Sequence, residues 1–168
     1  MANIEKYSKE TIKKAAEIIK RGGLVAFPTE TVYGVGASVF NPKAVARIFE
    51  VKKRPQFDPL IVHIADITDI KELCKQDDER VEILTKKFWP GPLTIVLKKS
   101  EKVPDIVTAG LDTIAIRMPS SNIALEFIKE SNVPIAAPSA NIFGHLSPTT
   151  AEHVFEQIGR KIDLIIDG

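Results

Sequence analysis

Apolar residues recur along this chain with two alternating periods. Ile12, Ala15, Ala16 and Ile19 lie three and four apart, behind Ser8 and ahead of Gly22-Gly23, which predicts an amphipathic helix with a hydroxyl cap and a glycine stop. Asn41 and Pro42 precede Val45, Ile48 and Phe49 in the same way, so a second helix is expected to run to Val51. The same period predicts helices over Thr68–Cys74, Asp77–Phe88, Asn122–Glu130 and Thr150–Ile158. Between them stand short β-type runs: LVAF at 24, LIVHIA at 60, LTIVLK at 93, TIAIRM at 113, PIAA at 134 and DLIID at 163. Strands interleaved with helices predict an α/β fold, a twisted sheet with flanking helices. The stretch from Lys99 to Asp112 reads as loop rather than helical crossover, so part of the sheet is expected to be antiparallel and the whole sheet mixed.

Composition narrows the class without naming a chemistry. At 168 residues, with no repeat, low-complexity tract or Gly/Ser linker, the chain reads as one domain. Its 44% hydrophobic and 27% charged residues place it among ordinary globular proteins. No apolar run reaches the roughly 18 residues of a membrane span, and the polar start MANIEKYSKE has no apolar signal core, so a cytoplasmic location is expected. One cysteine, Cys74, excludes an internal disulfide and any metal-ligand spacing, and a reduced, partly buried thiol is expected. Lys and Arg total 23 against 22 Asp and Glu, so any anion site must be local.

Three strands end alike, as AFPT at 26, RMPS at 117 and AAPSAN at 136. Proline stops a ladder and a hydroxyl follows, which places hydroxyls along a common rim or, more plainly, caps helices through Thr29 and Ser120. Period-two alternation puts His63 with Ile61 and Ala65, and Arg117 with Thr113 and Ala115, opposite the apolar faces of their strands. Arg117 stands beside small residues, where its planar fork suits a carboxylate or phosphate. The plain alternatives are an edge-strand arginine facing solvent and a hydrogen-bonded structural histidine. EVKKRPQFDPLIVH, from 50, gathers Lys52, Lys53 and Arg54 at a helix C-terminus, either as dipole complements or as an anion clamp, with Asp58 opposing a triphosphate unless Arg54 or Mg²⁺ compensates. Standard phosphate loops, a nucleophile elbow and metal-binding histidine spacings are all missing, and GVG at 34 alone carries little.

At these same residues the chain resembles the YrdC-type threonylcarbamoyl-AMP synthase family. The matching words are PTETVYGVGA (28 to 37), KKRPQFDPLIVHI (52 to 64), WPGPLTIVL (89 to 97), IAIRMP (114 to 119) and APSANIFGHLSPTTAEHV (137 to 154), in family order. The resemblance implies a YrdC-like domain over 1–168 with a concave cationic crevice. It implies a nucleotidyltransferase that joins L-threonine, bicarbonate and ATP into threonylcarbamoyl-AMP and pyrophosphate, with Mg²⁺ accompanying the nucleotide. The product feeds downstream proteins that modify the tRNA adenosine beside the anticodon. Position by position, the resemblance implies a threonine site of Thr31, Tyr33, His63, Arg117 and Ala137. It implies catalytic clamps in Lys52 and Arg54, and ATP contacts in Arg54, Asp58, Thr113, Ser139, Asn141 and Ser147. No protein nucleophile is needed, since threonine's amine captures CO₂ and the carbamate oxygen attacks the α-phosphate.

Three departures from the family pattern stand out. Asp58 replaces the usual Asn, Phe143 interrupts SANxSG, and the sequence stops at IDLIIDG where relatives continue into a Gly-rich segment. The chain is therefore expected to lack the family's C-terminal continuation. Glu30 matches the motif without an assigned role. The alternative function is a non-catalytic module of the same fold that binds double-stranded RNA or tRNA; a carbamoyl-phosphate-processing relative is a third class.

Overall fold

The computed structural model describes residues 2–75 and 78–168. In chain order the elements are β1 (Asn3–Lys6), α1 (Lys9–Lys20), β2 (Val25–Phe27), β3 (Gly34–Ser38), α2 (Pro42–Lys52), β4 (Ile61–His63), a 3₁₀ turn (Ile67–Asp69), α3 (Ile70–Leu73), α4 (Glu79–Phe88), β5 (Thr94–Lys98), α5 (Asp105–Thr108), β6 (Thr113–Arg117), α6 (Asn122–Ser131), β7 (Ile135–Ala136), α7 (Ala151–Ile158) and β8 (Leu164–Asp167). Capping sets the helix starts as the sequence predicts. Ser8 Oγ accepts the Thr11 N–H at 3.1 Å, Asn41 Oδ1 that of Ala44 at 3.1 Å, and Thr150 Oγ1 that of His153 at 3.3 Å. The helix expected over Thr68–Cys74 becomes the 3₁₀ turn followed by α3. The expected start at Asp77 lies outside the described residues, and Asp78 caps α4.

The described strands form one mixed sheet in the order β1-β8-β2-β3-β7-β4-β6-β5. The β1/β8, β8/β2 and β4/β6 pairs are parallel, and the others antiparallel. Two of these strands are not foreseen by periodicity. β1 is short and largely exposed, held by pairing with β8 rather than by an apolar face. β3 reads as a turn because it contains Gly34 and Gly36, yet both glycines sit in the ladder. A Cβ on residue 36 would lie 2.4 Å from Ile135 Cγ2 and 3.0 Å from the Phe27 ring, so packing across the sheet demands glycine there. The segment read as loop from Lys99 contains the short helix α5.

Strand direction also corrects the common rim. β2 and β7 run the same way, but β6 runs against them, so Pro119 and Ser120 leave the sheet at the opposite edge. Nor does Ser120 cap α6; Ser121 does, accepting the Ala124 N–H at 3.3 Å.

Alternating strand residues feed two cores. Ala26, Ala37, Val62, Ile116 and Ile165 meet α2, α5 and α7 on one face. Val25, Phe27, Ile135 and Leu164 meet α1 and α6 on the other. Cys74 is free and buried, and burial pushes its thiol up to about 11. Among the described residues no helix is long and apolar enough to cross a membrane.

Candidate functional site

On the α1/α6 side of the sheet, beyond the ends of those helices, the strands present small or polar groups instead of bulk. Gly34 of β3, Ala137 after β7, Ile61 and His63 of β4 and Arg117 of β6 share a cleft of about 310 Å³. Register explains the grouping, because parallel pairing sets His63 directly beside Arg117. β6 lies between β4 and β5, so Arg117 is not on an edge, and it is only 9% exposed. The solvent-facing alternative for this arginine does not hold.

The β2–β3 loop roofs the cleft and answers what its polar residues do. Thr29 Oγ1 donates to the Val32 carbonyl at 2.6 Å and accepts the N–H groups of Thr31 and Val32. The Thr31 hydroxyl lies 3.0 Å from that of Thr29. Thr31 Oγ1 keeps a lone pair for Arg117 Nη2, which donates to it at 3.2 Å. The same Nη2 meets Glu30 Oε1 at 2.9 Å. Burial pushes the Glu30 carboxyl upward, but hydrogen bonds from Arg117, from its own N–H and from that of Ser120 prevail and hold it below its ordinary value. The loop therefore reaches across the sheet to the far strand end that the rim geometry had placed elsewhere.

Two buried polar atoms of this wall are orphans among the described residues: His63 Nδ1 and Arg117 Nε. His63 lies edge-on to Phe27, with ring centroids 6.1 Å apart. Burial, reinforced by the Arg117 charge, lowers its pKa to about 4, so the imidazole is neutral near pH 7. Tyr33 is buried, with its backbone held by Pro148 and Ala140 and its hydroxyl 3.3 Å from Gly168.

The opposite wall is built from loops. α2 ends in Lys53 at φ 52°, a left-handed residue that turns the chain toward the cleft. Lys52 is 1% exposed, and its ammonium donates to the carbonyls of Ser139 and Asn141, each at 2.5 Å. Burial first, and then the Arg54 charge, lower its pKa to about 8. Arg54 reaches the cleft but is paired with Asp58 at 2.9 Å, donates to the Pro59 carbonyl at 3.0 Å and lies 5.8 Å from the Phe143 ring centre. Two of the three departures from the family pattern, Asp58 and Phe143, thus stand against Arg54. The Asn141 amide donates to the carbonyls of Ile142 and His145, at 2.8 and 2.9 Å, and its Oδ1 is buried without a partner among the described residues.

The fold brings Thr31, Tyr33, His63, Arg117, Ala137, Arg54 and Ser139 into one cleft. Lys52 and Asn141 stand behind its wall, Asp58 beside Arg54, Thr113 four residues before Arg117 on the same face of β6, and Ser147 exposed in the loop before α7. Glu30, outside the lining but bound to Arg117, has no role assigned from the sequence: its partner lies 87 residues away, beyond any local pattern. Ile61 also lines the cleft; it is not among the expected site residues, although it shares the period-two face of His63. A larger cleft of about 620 Å³ beside β5 is walled by the surface pairs Lys75–Glu101 and Lys99–Asp105, and none of the orphaned atoms belongs to its lining.

Comparison with known proteins places the chain in a family. The model named Sua5_yciO_yrdC, with the description Telomere recombination, matches residues 17–168. The chain is 56% identical over 164 residues to a threonylcarbamoyl-AMP synthase of Pyrococcus abyssi, covering 98% of this chain and 48% of that protein. It is 38% identical to a putative threonylcarbamoyl-AMP synthase of Methanocaldococcus jannaschii, covering 98% of this chain and 78% of that one. The crystal structure of P. abyssi Sua5 complexed with L-threonine superposes with a TM-score of 0.95 at 55% identity, over 99% of this chain and 49% of that one. The chain spans about half the length of the first curated relatives it matches, 48% and 46%. The family model covers most of the chain and the relatives agree with it: the chain belongs to the Sua5/YciO/YrdC family.

Proposed function

We propose that this chain carries the site of an L-threonylcarbamoyladenylate synthase, joining L-threonine, bicarbonate or CO₂, and ATP into threonylcarbamoyl-AMP and pyrophosphate. The observation that carries the reading is the cleft wall itself. Arg117 and neutral His63 stand side by side with buried nitrogens that have no partner among the described residues, opposite loops that gather Arg54 and Ser139. Relatives named for this activity and a relative crystallised with L-threonine support it.

Threonine's carboxylate would take Arg117, with Thr31, Tyr33, His63 and the Ala137 backbone around its remaining atoms. The amine adds to CO₂, forming the N–C bond and releasing a proton. A carbamate oxygen then attacks the α-phosphorus of ATP, and the bond to the β-phosphate oxygen breaks, releasing pyrophosphate. No side chain forms a covalent bond, so positioning and charge account for the rate. Arg54, together with Thr113, Ser139, Asn141 and Ser147, would serve the nucleotide, with Asp58 limiting how far its charge is felt. Lys52 acts in this scheme by shaping the 139–141 backbone, as well as by its charge. Magnesium would arrive on the nucleotide; among the described residues no three His, Cys, Asp or Glu side chains gather round one point.

The product would be consumed in the cytoplasm by proteins that transfer threonylcarbamoyl to the tRNA adenosine beside the anticodon. An RNA-binding role for the cleft is less favoured, because both of its arginines are already paired with carboxylates. The test is pyrophosphate release from ATP with threonine and bicarbonate omitted in turn. Release that requires both supports the reading, and release indifferent to threonine overturns it.

A further inference from the structure

The expectation of a cationic crevice meets an unexpected charge balance. Arg117 lies 2.9 Å from Glu30 and Arg54 lies 2.9 Å from Asp58. Lys52 is turned away onto two carbonyls, and His63 is neutral at physiological pH. Each arginine bordering the cleft is therefore matched by a carboxylate, so a bare anion entering it meets two partly neutralised pairs, with the Lys52 charge held behind the wall. A ligand that brings both signs finds a partner for each.

The Glu30–Arg117 pair has the form such a ligand needs. Arg117 engages both Glu30 and Thr31 through Nη2; among the described residues no hydrogen bond engages Nη1, and Nε is a buried orphan. The guanidinium thus retains donors for a second carboxylate while Glu30 stays in place. Glu30 is not itself among the lining residues, but it stands between Thr29 and Thr31, which are, and against Arg117; its side chain is 20% exposed and hydrogen bonds hold its carboxyl ionised, so it retains acceptor capacity for a cation beside Arg117. An α-amino acid carries ammonium and carboxylate on a single carbon, so its two charges arrive as close together as the pair that would receive them.

We propose that Glu30 reads the substrate ammonium, forming with Arg117 a dipolar receptor that selects an amino-acid zwitterion over a bare carboxylate. The proposal rests on the amino-acid reading of the cleft and adds a specificity-determining residue to it. A Glu30 that merely orients Arg117 would support carboxylate binding whether or not the ligand has an amine. A Glu30 that reads the ammonium affects only ligands that carry one.

The experiment is calorimetric titration of L-threonine and of 3-hydroxybutyrate, the same skeleton without the amine, into the wild-type chain and Glu30→Gln. In the wild type threonine should bind about 10-fold to 100-fold more tightly than 3-hydroxybutyrate, the range expected for one charge-assisted contact. In Glu30→Gln the preference should fall to within about threefold, through loss of threonine affinity with 3-hydroxybutyrate unchanged or slightly tighter. Glu30→Asp, which keeps the charge on a shorter stem, should recover part of the preference and serves as the second variant if the Gln protein does not fold. Equal weakening of both ligands, or an unchanged preference, overturns the proposal while leaving the amino-acid site intact. A wild-type chain that binds no threonine overturns that site reading as well, and the two failures are thereby distinguished.

Discussion

The two walls of the cleft use cations in opposite ways. On the strand wall, Arg117 and His63 are fixed by sheet register and retain unengaged nitrogens, although each is nearly buried. On the loop wall, Lys52 is committed to the carbonyls of Ser139 and Asn141, and Arg54 to Asp58 and Pro59. A buried polar atom without a partner is costly, and a fold retains it where a ligand completes it. A buried ammonium on two carbonyls holds a loop that has no ladder of its own. The difference separates groups left open for a ligand from cations already engaged by the protein, with Asn141 Oδ1 the open group on the loop side.

The largest expected effect breaks the strand wall. Arg117→Ala should weaken threonine binding by about 100-fold, or about 3 kcal/mol, because the carboxylate loses its charged partner. Binding of a non-hydrolysable ATP analogue should change little, and equal losses in both titrations would erase the distinction between the walls. A second test uses the His63 environment. Its folded pKa of about 4 lies below the ordinary 6.5, so between these values the unfolded chain binds a proton that the folded chain does not. Stability should therefore rise by about 3 kcal/mol from pH 4 to 6.5, an order-of-magnitude figure from the size of the shift. Urea unfolding of wild type against His63→Gln isolates this slope, and parallel pH profiles would show that His63 is not buried neutral.

On the loop wall the signature is stability rather than ligand affinity alone. Lys52→Met keeps the buried stem but strips two carbonyls of their donor, which should lower stability by about 2 kcal/mol. It should also accelerate amide exchange in 139–145; a variant as stable and protected as wild type would return Lys52 to a purely ligand-facing role. The smallest effect belongs to Asp58→Asn. The Asp58 side chain is 39% exposed, so losing the ion pair should alter stability by less than about 1 kcal/mol. Freed of its counter-charge, Arg54 should bind the ATP analogue a few-fold more tightly, an effect that salt reduces.

Much of the strand wall was legible in the sequence. Period two placed Arg117 with Thr113 and Ala115, and His63 with Ile61, on the faces they occupy, and caps at Ser8 and Asn41 set two helix starts. What escaped depends on partners distant in the chain. β3 is a strand because Phe27 and Ile135 crowd Gly36, and local propensity contains no record of that contact. The Glu30–Arg117 pair forms only once the β2–β3 loop crosses the sheet, and the direction of β6 defeated the shared rim although every proline ending was present. The turn of Lys52 onto the 139–141 backbone likewise joins segments that no periodicity links.

The most direct test of the division between the walls is a residue-resolved amide spectrum of the chain titrated separately with L-threonine and with a non-hydrolysable ATP analogue. The account predicts saturable threonine shifts centred on Thr31, Tyr33, His63, Arg117 and Ala137, and nucleotide shifts centred on Arg54 and the segment from Ser139 to Ser147. Threonine shifts that fall on the loop wall instead, or that are absent at about 10 mM, tenfold above the upper end of ordinary substrate constants, would contradict it.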